Sequence, residues 1–204
     1  MARASRATTI MGKTSDFPAK PSAPYTDAMS SLRRSVFRSW PLAAALCALA
    51  VLGVAHGFES FGGLAPCHLC LQQREIYWVA VAVGLAGWVA GRFVKGKHVV
   101  AITSAVLVLI FLSEAGLAAY HAGVEWKLWQ GPQTCSGAAT GQANLAAING
   151  LLGGARIEAP RCDVAAWRFA GLSMAGWNVL VALALAALSA VVVLGREITR
   201  GLEP

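Results

Sequence analysis

The sequence predicts an all-α membrane protein: a four-helix transmembrane bundle with both termini cytoplasmic and two loops on the outer side. Three observations predict it. First, 56% of the 204 residues are hydrophobic and 13% are charged. With glycine counted in place of tyrosine, the apolar share is about 65%, against ~45–50% apolar and ~25% charged in soluble domains. Second, the apolar residues gather in four runs, each within or near the roughly 17–25 residues of a membrane helix. Third, Lys and Arg flank those runs unevenly, as the positive-inside rule requires of a fixed topology. The composition excludes a mainly disordered chain, because it far exceeds the hydrophobicity of a solvated coil.

Residues 1–35 are rich in Ser, Thr, Ala, Pro and basic side chains with no apolar period, which predicts a disordered cytoplasmic tail. The first span is expected over about 36–58, with Trp40 and Pro41 near its start and no charge between Arg38 and Glu59. A cleaved signal peptide fits less well, since its apolar core would exceed the usual ~7–15 residues and follow a very long leader. Leu64-Ala65-Pro66-Cys67 resembles a lipoprotein site, but proline directly before the cysteine argues against it. A second span follows over 76–94, interrupted only by Arg92. The third, over 99–120, carries the single acid Glu114, and the fourth covers 174–194. The membrane domain is thus 36–196, with outer loops 59–75 and 121–173 and a cytoplasmic tail 197–204.

Of the 17 Lys and Arg residues, 12 fall on one side: Arg3, Arg6, Lys13, Lys20, Arg33, Arg34, Arg38, Arg92, Lys95, Lys97, Arg196 and Arg200. The other five, Arg74, Lys127, Arg156, Arg161 and Arg168, lie in the two loops, so both loops face outward. The net charge of +7 therefore reads as a topology signal. A nucleic-acid partner is not expected, because no basic face is interleaved with aromatics. Trp40, Trp78, Trp88, Trp126 and Trp177 fall near span ends, where an amphipathic indole prefers to sit. Gly53 with Gly57, and Gly87 with Gly91, are small-xxx-small pairs that would let helices approach closely.

Of five cysteines, Cys47 lies in the first span and reads as a small buried apolar residue. Cys67, Cys70, Cys135 and Cys162 are all external. Outside a bacterial inner membrane disulfides persist, and four thiols there allow three connectivities. Cys67 and Cys70 form a Cys-x-x-Cys pair, and closing so short a loop adds little stability, which favours a redox role over a static one. Arg74 lies one helical turn beyond Cys70, where a fixed cation would favour a thiolate and hold a polar ligand oxygen. The segment between Cys135 and Cys162 is long and glycine-rich enough to move. A c-type haem is excluded because Leu71, not His, follows Cys70. The competing readings are a four-helix scaffold with static disulfides, and a metal-handling membrane protein using Cys67, His68 and Cys70.

These residues resemble the disulfide bond formation protein B (DsbB) family of quinone-dependent thiol oxidases. The resemblance rests on Pro66-Cys67-His68-Leu69-Cys70-Leu71-Gln72-Gln73-Arg74, and on Tyr120-His121-Ala122-Gly123-Val124-Glu125-Trp126 through Gly131-Pro132 to Cys135. Arg161-Cys162-Asp163 and Gly171 through Asn178 complete it, over roughly residues 36–196. The resemblance implies an enzyme of the bacterial inner membrane that binds ubiquinone or menaquinone. A periplasmic DsbA-like thiol oxidase would be its partner and would attack a Cys135–Cys162 disulfide at Cys135. The loop pair would be reoxidised by Cys67–Cys70, and Cys70 would pass electrons to quinone. Arg74 and His121 match positions near the quinone head group, and no metal is implied. Independently, quinone reduction takes up two protons, for which His121 is chemically suited.

The resemblance helps least with Glu114. An acid within a span is a functional candidate by default. Glu114, His121 and Glu125 are spaced to share a helix face, expected to point at Arg74 and assist proton movement, with a salt bridge or a snorkelling acid near the outer interface as the plainer alternative. An amphipathic stretch over Trp167–Met174 is expected on the membrane surface.

Overall fold

The computed structural model describes residues 24–94, 98–132 and 161–200, without the side chains of 24–34, 36 and 196–200. The chain divides into two units, residues 1–34 and 35–204, and the packing below is that of the second. Its elements are α1 (Pro24–Ser60), α2 (His68–Phe93), α3 (Val99–Glu125), β1 (Arg168–Phe169), β2 (Leu172–Ser173) and α4 (Met174–Arg200). Four helices are long and apolar enough to cross a membrane, over Phe37–Ser60, His68–Phe93, Val99–Glu125 and Met174–Gly195. Many large apolar side chains point outward, among them Leu109, Val191 and Leu194. In water such a surface would be untenable, whereas acyl chains solvate it.

The helices exceed the apolar runs, and several expected boundaries are corrected. α1 begins at Pro24, so 24–35 are helical rather than disordered. Proline suits a first helical position because its fixed φ is already helical and the missing N–H has no partner there. α4 continues to Arg200, beyond the expected span end at 194. α2 begins at His68 instead of Ile76, and α3 reaches Glu125 instead of Tyr120. Polar residues at the outer ends remain helical because the backbone hydrogen bonds continue past the hydrocarbon boundary. The remaining tail residues 1–23, Lys95 and Lys97, the loop residues 133–160 including Cys135, and 201–204 lie outside the described residues.

One buried core joins all four helices: Ala44, Ala48 and Leu52 of α1, Tyr77, Ala80 and Val81 of α2, Leu107 and Phe111 of α3, and Leu185 and Ala186 of α4. α3 packs against both α2 and α4. Backbone proximity rests on Gly84 and Gly87. A Cβ on Gly84 would stand 2.6 Å from the Pro41 carbonyl of α1, and one on Gly87 would overlap Thr103 of α3. Of the expected pairs, Gly53 and Gly57 meet nothing within 4 Å, and a Cβ on Gly91 would make only ordinary contact with Val100. Trp40 Nε1 donates to Ser189 Oγ at 3.1 Å, tying α1 to α4. Cys47 faces outward, correcting the expectation that it is buried, because Ala44 and Ala48 occupy the inward face of α1.

The stretch 167–174 forms a two-stranded antiparallel ladder with Arg168 opposite Ser173 and Phe169 opposite Leu172, then enters α4. Ala170 and Gly171 take positive φ of 51° and 82°, the backbone of a hairpin whose twist matches its strands. Its aromatics form a cluster in which Trp167 meets Phe58 and Phe169, and Phe169 meets Trp177.

Candidate active site

The Cys-x-x-Cys motif is built on a helix start. Pro66 disfavours helix in the residue before it, and Cys67 is the extended N-cap of α2, with φ −78° and ψ 172°. Cys67 Sγ accepts the backbone N–H of Cys70 at 3.3 Å, so the three-residue spacing is that of a cap and the third helical residue. Both sulfurs stand at the positive end of the α2 dipole, with Cys67 Sγ 2.8 Å from Cys70 Sγ. Both are free thiols. The shared hydrogen bond with Cys70, followed by burial, pushes the Cys67 thiol well above its ordinary range.

α3 supplies the imidazole. His121 is buried, with Nε2 3.6 Å from Cys67 Sγ and 3.9 Å from Glu125 Oε1, and Nδ1 3.0 Å from Gln73 Nε2. The His121 ring is also hydrogen-bonded to the backbone of Cys162. Cys162 is fully buried and disulfide-bonded, and it packs in one cluster with Cys67, Leu69 and Val124. The loop is brought back here by Asp163, which accepts from Lys127 Nζ at 2.6 Å and from Arg161 at 2.9 and 3.0 Å. Those cations, Arg161 first, hold the Asp163 carboxyl down at about 2. Lys127 reaches it from a positive-φ position just past α3, where Trp129 folds back over Gly123 and donates to the Tyr120 carbonyl at 2.9 Å.

Arg74, one turn beyond Cys70, is engaged by α1. It donates to Glu59 and to the Ala55 carbonyl, and its side chain is largely buried against the outer end of α1. Ala55 and Glu59 alternate with Val54, Gly57, Phe58 and Phe61, which line an apolar groove of about 400 Å³.

A sequence profile described as disulfide bond formation protein DsbB matches residues 37–192. The chain belongs to the DsbB family. It is 31% identical over 153 residues to disulfide bond formation protein B 2 of Pseudomonas entomophila, covering 74% of this chain and 87% of that one. Disulfide bond formation protein B of Aromatoleum aromaticum is 29% identical over 158 residues, 73% of this chain and 91% of its own. That of Dechloromonas aromatica is 30% identical over 153 residues, 71% and 84% of the two chains. This chain is accordingly a disulfide-bond-formation protein of the bacterial inner membrane, with the oxidoreductase character of the DsbB family.

In this DsbB-family site the fold brings together Cys67, Cys70, His121 and Cys162, while Arg74 stands one turn along α2. Cys135 lies outside the described residues. His68, weighed as a metal ligand, is exposed and turned away, and the imidazole beside the thiols is that of His121. The 2.8 Å between the sulfurs is closer than the roughly 3.8 Å that two thiolates keep on a tetrahedral zinc, and it suits a pair that closes on itself. The expected shared face of Glu114, His121 and Glu125 exists and is buried. It does not meet Arg74 in the way anticipated, because Arg74 is engaged by α1 while Glu114 bonds Asn178. In the sequence, Gln73 and Asn178 belong to the segments that carry the family resemblance. Their polar character inside apolar helices was the available signal.

Proposed function

We propose that this protein reoxidises a periplasmic DsbA-like thiol oxidase and passes the electrons to membrane quinone. The observation that carries the reading is the burial of disulfide-bonded Cys162 in one cluster with Cys67, itself in contact with Cys70. A thiolate of the reduced partner attacks Cys135 of a Cys135–Cys162 disulfide, forming a mixed disulfide and releasing Cys162 as thiolate. Cys162 then attacks Cys67 of the oxidised Cys67–Cys70 pair, and Cys70 leaves as thiolate. The partner's second thiol resolves the mixed disulfide, so the partner departs oxidised and Cys135 becomes the thiol that restores the loop pair. Each cycle thus delivers two electrons and two protons to the Cys67–Cys70 end of the relay.

Ubiquinone or menaquinone, when bound, supplies the two-electron, two-proton acceptor. The residues fit such a group: the apolar groove lined by Phe58 and Phe61 suits a lipophilic ring and tail, and Arg74 beside it offers N–H donors to a ring oxygen. His121, within reach of Cys67 Sγ, is the group suited to hold or move a proton there. The test is stopped-flow absorbance of the protein with a reduced thioredoxin-like partner and a soluble quinone, comparing wild type with Cys70→Ser and Cys135→Ser. Rapid quinone loss in wild type that vanishes in both variants is expected. Quinone untouched in all three removes the reading.

A further inference from the structure

Glu114 is fully buried in the span α3, and the relay above makes no use of it. Its Oε1 accepts from Asn178 Nδ2 at 2.6 Å, and its Oε2 is buried without a hydrogen-bond partner. The same Asn178 amide nitrogen donates to Gln73 Oε1 at 2.7 Å, and Asn178 Oδ1 accepts from the Tyr77 hydroxyl at 2.6 Å. Both amide hydrogens of Asn178 are therefore committed. Gln73, holding its oxygen toward Asn178, turns its amide nitrogen to His121 Nδ1 at 3.0 Å. An amide nitrogen only donates, so Nδ1 must be the bare, accepting nitrogen of the ring. The imidazole proton then sits on Nε2, which faces acceptors: Cys67 Sγ at 3.6 Å and Glu125 Oε1 at 3.9 Å.

The chain of amides has one other self-consistent direction. Turning both amides over makes Gln73 accept from an Nδ1–H of His121 and donate to Asn178, which then donates to the Tyr77 oxygen. Reversal removes the acceptor of the buried Tyr77 hydroxyl hydrogen and turns a bare Nε2 toward Glu125 Oε1, and at Glu114 a carboxylate oxygen would face the Asn178 carbonyl oxygen with no hydrogen between them. A buried clash of acceptors is costly. We propose that Glu114 is a positioning residue that fixes the tautomer of His121 through Asn178 and Gln73, keeping the proton on Nε2 and directed at the Cys67 sulfur. Its consequence for catalysis rests on the relay proposed above: an Nε2–H ready to stabilise negative charge on Cys67 while that sulfur exchanges partners. Tyr77 and Gln73 of α2, His121 and Glu125 of α3 and Asn178 of α4 are the polar groups gathered around this path.

The experiment is nitrogen NMR of the full chain in lipid nanodiscs with ¹⁵N-histidine, the His121 signals assigned by their loss in His121→Ala. In wild type, Nδ1 is expected at the position of an unprotonated ring nitrogen and Nε2 at that of a protonated one. Glu114→Gln keeps the shape but can present either its oxygen or its nitrogen to Asn178, so both directions become available. The two His121 signals should then move toward each other. A proton on Nδ1 in wild type overturns the proposal even if Glu114→Gln does not fold, as do wild-type signals retained in Glu114→Gln. The readout involves no quinone or partner, so a failed relay leaves it standing and the two readings fail separately.

Discussion

Asp163 illustrates how one exposed side chain organises a redox site without touching a sulfur. Its carboxylate joins Lys127, just past α3, to Arg161, and so holds the neighbouring Cys162 against Cys67. The carboxyl is held at about 2, below the ordinary ~3.9. A depressed acid contributes stability in full above its unfolded value and loses it as pH falls through the folded one. The difference in melting temperature between wild type and Asp163→Asn should therefore be constant at neutral pH and shrink between about pH 4 and pH 2. Its size should be at most the ~1 kcal/mol of an exposed ion pair. A difference unchanged down to pH 2 in a thermal melt would remove the clamp.

At the level of elements, the helices are set by close backbone approach at two glycines of α2. Gly87→Val would drive a branched side chain into Thr103, and we expect destabilisation of about 1–3 kcal/mol. Gly53→Ala meets open space and should be neutral or slightly stabilising, since alanine is the better helix former. Unfolding in a mixed detergent titration compares the two, and equal effects would contradict the packing. The sequence offered Gly53-Gly57 and Gly87-Gly91 with the same spacing, and only Gly87 proved tight. Spacing reports that two glycines share a helix face, while the direction of that face depends on the neighbouring helix.

For the whole molecule, the four spans and the excess of Lys and Arg on one side predict which face of the membrane the proposed relay occupies. A membrane-impermeant thiol reagent applied to spheroplasts should label a cysteine introduced at Ala65, exposed in the loop between α1 and α2. It should leave a cysteine introduced at Arg200 unlabelled until the membrane is opened. Labelling at position 200 in sealed spheroplasts would invert the topology. Cys47, turned toward the acyl chains, should resist the aqueous reagent in both conditions.

The number of spans was legible in the sequence, because hydrophobic length is a local quantity, and flanking charge, equally local, carries the expected sidedness. The Cys67–Cys70 pair and Arg74 were legible for the same reason: the spacing of three is that of a helix cap, and four residues make one turn. The outer ends of α2 and α3 were not, since Gln72, Gln73 and His121 interrupt hydropathy without interrupting the helix. The partners of Arg74 and Glu114 were decided by tertiary structure alone. Periodicity put Glu114 and His121 on one face of α3, but only packing against α2 and α4 could place Gln73 and Asn178 between them. A buried polar group must find its hydrogen bond wherever the fold brings one, and that choice is made among residues far apart in the chain.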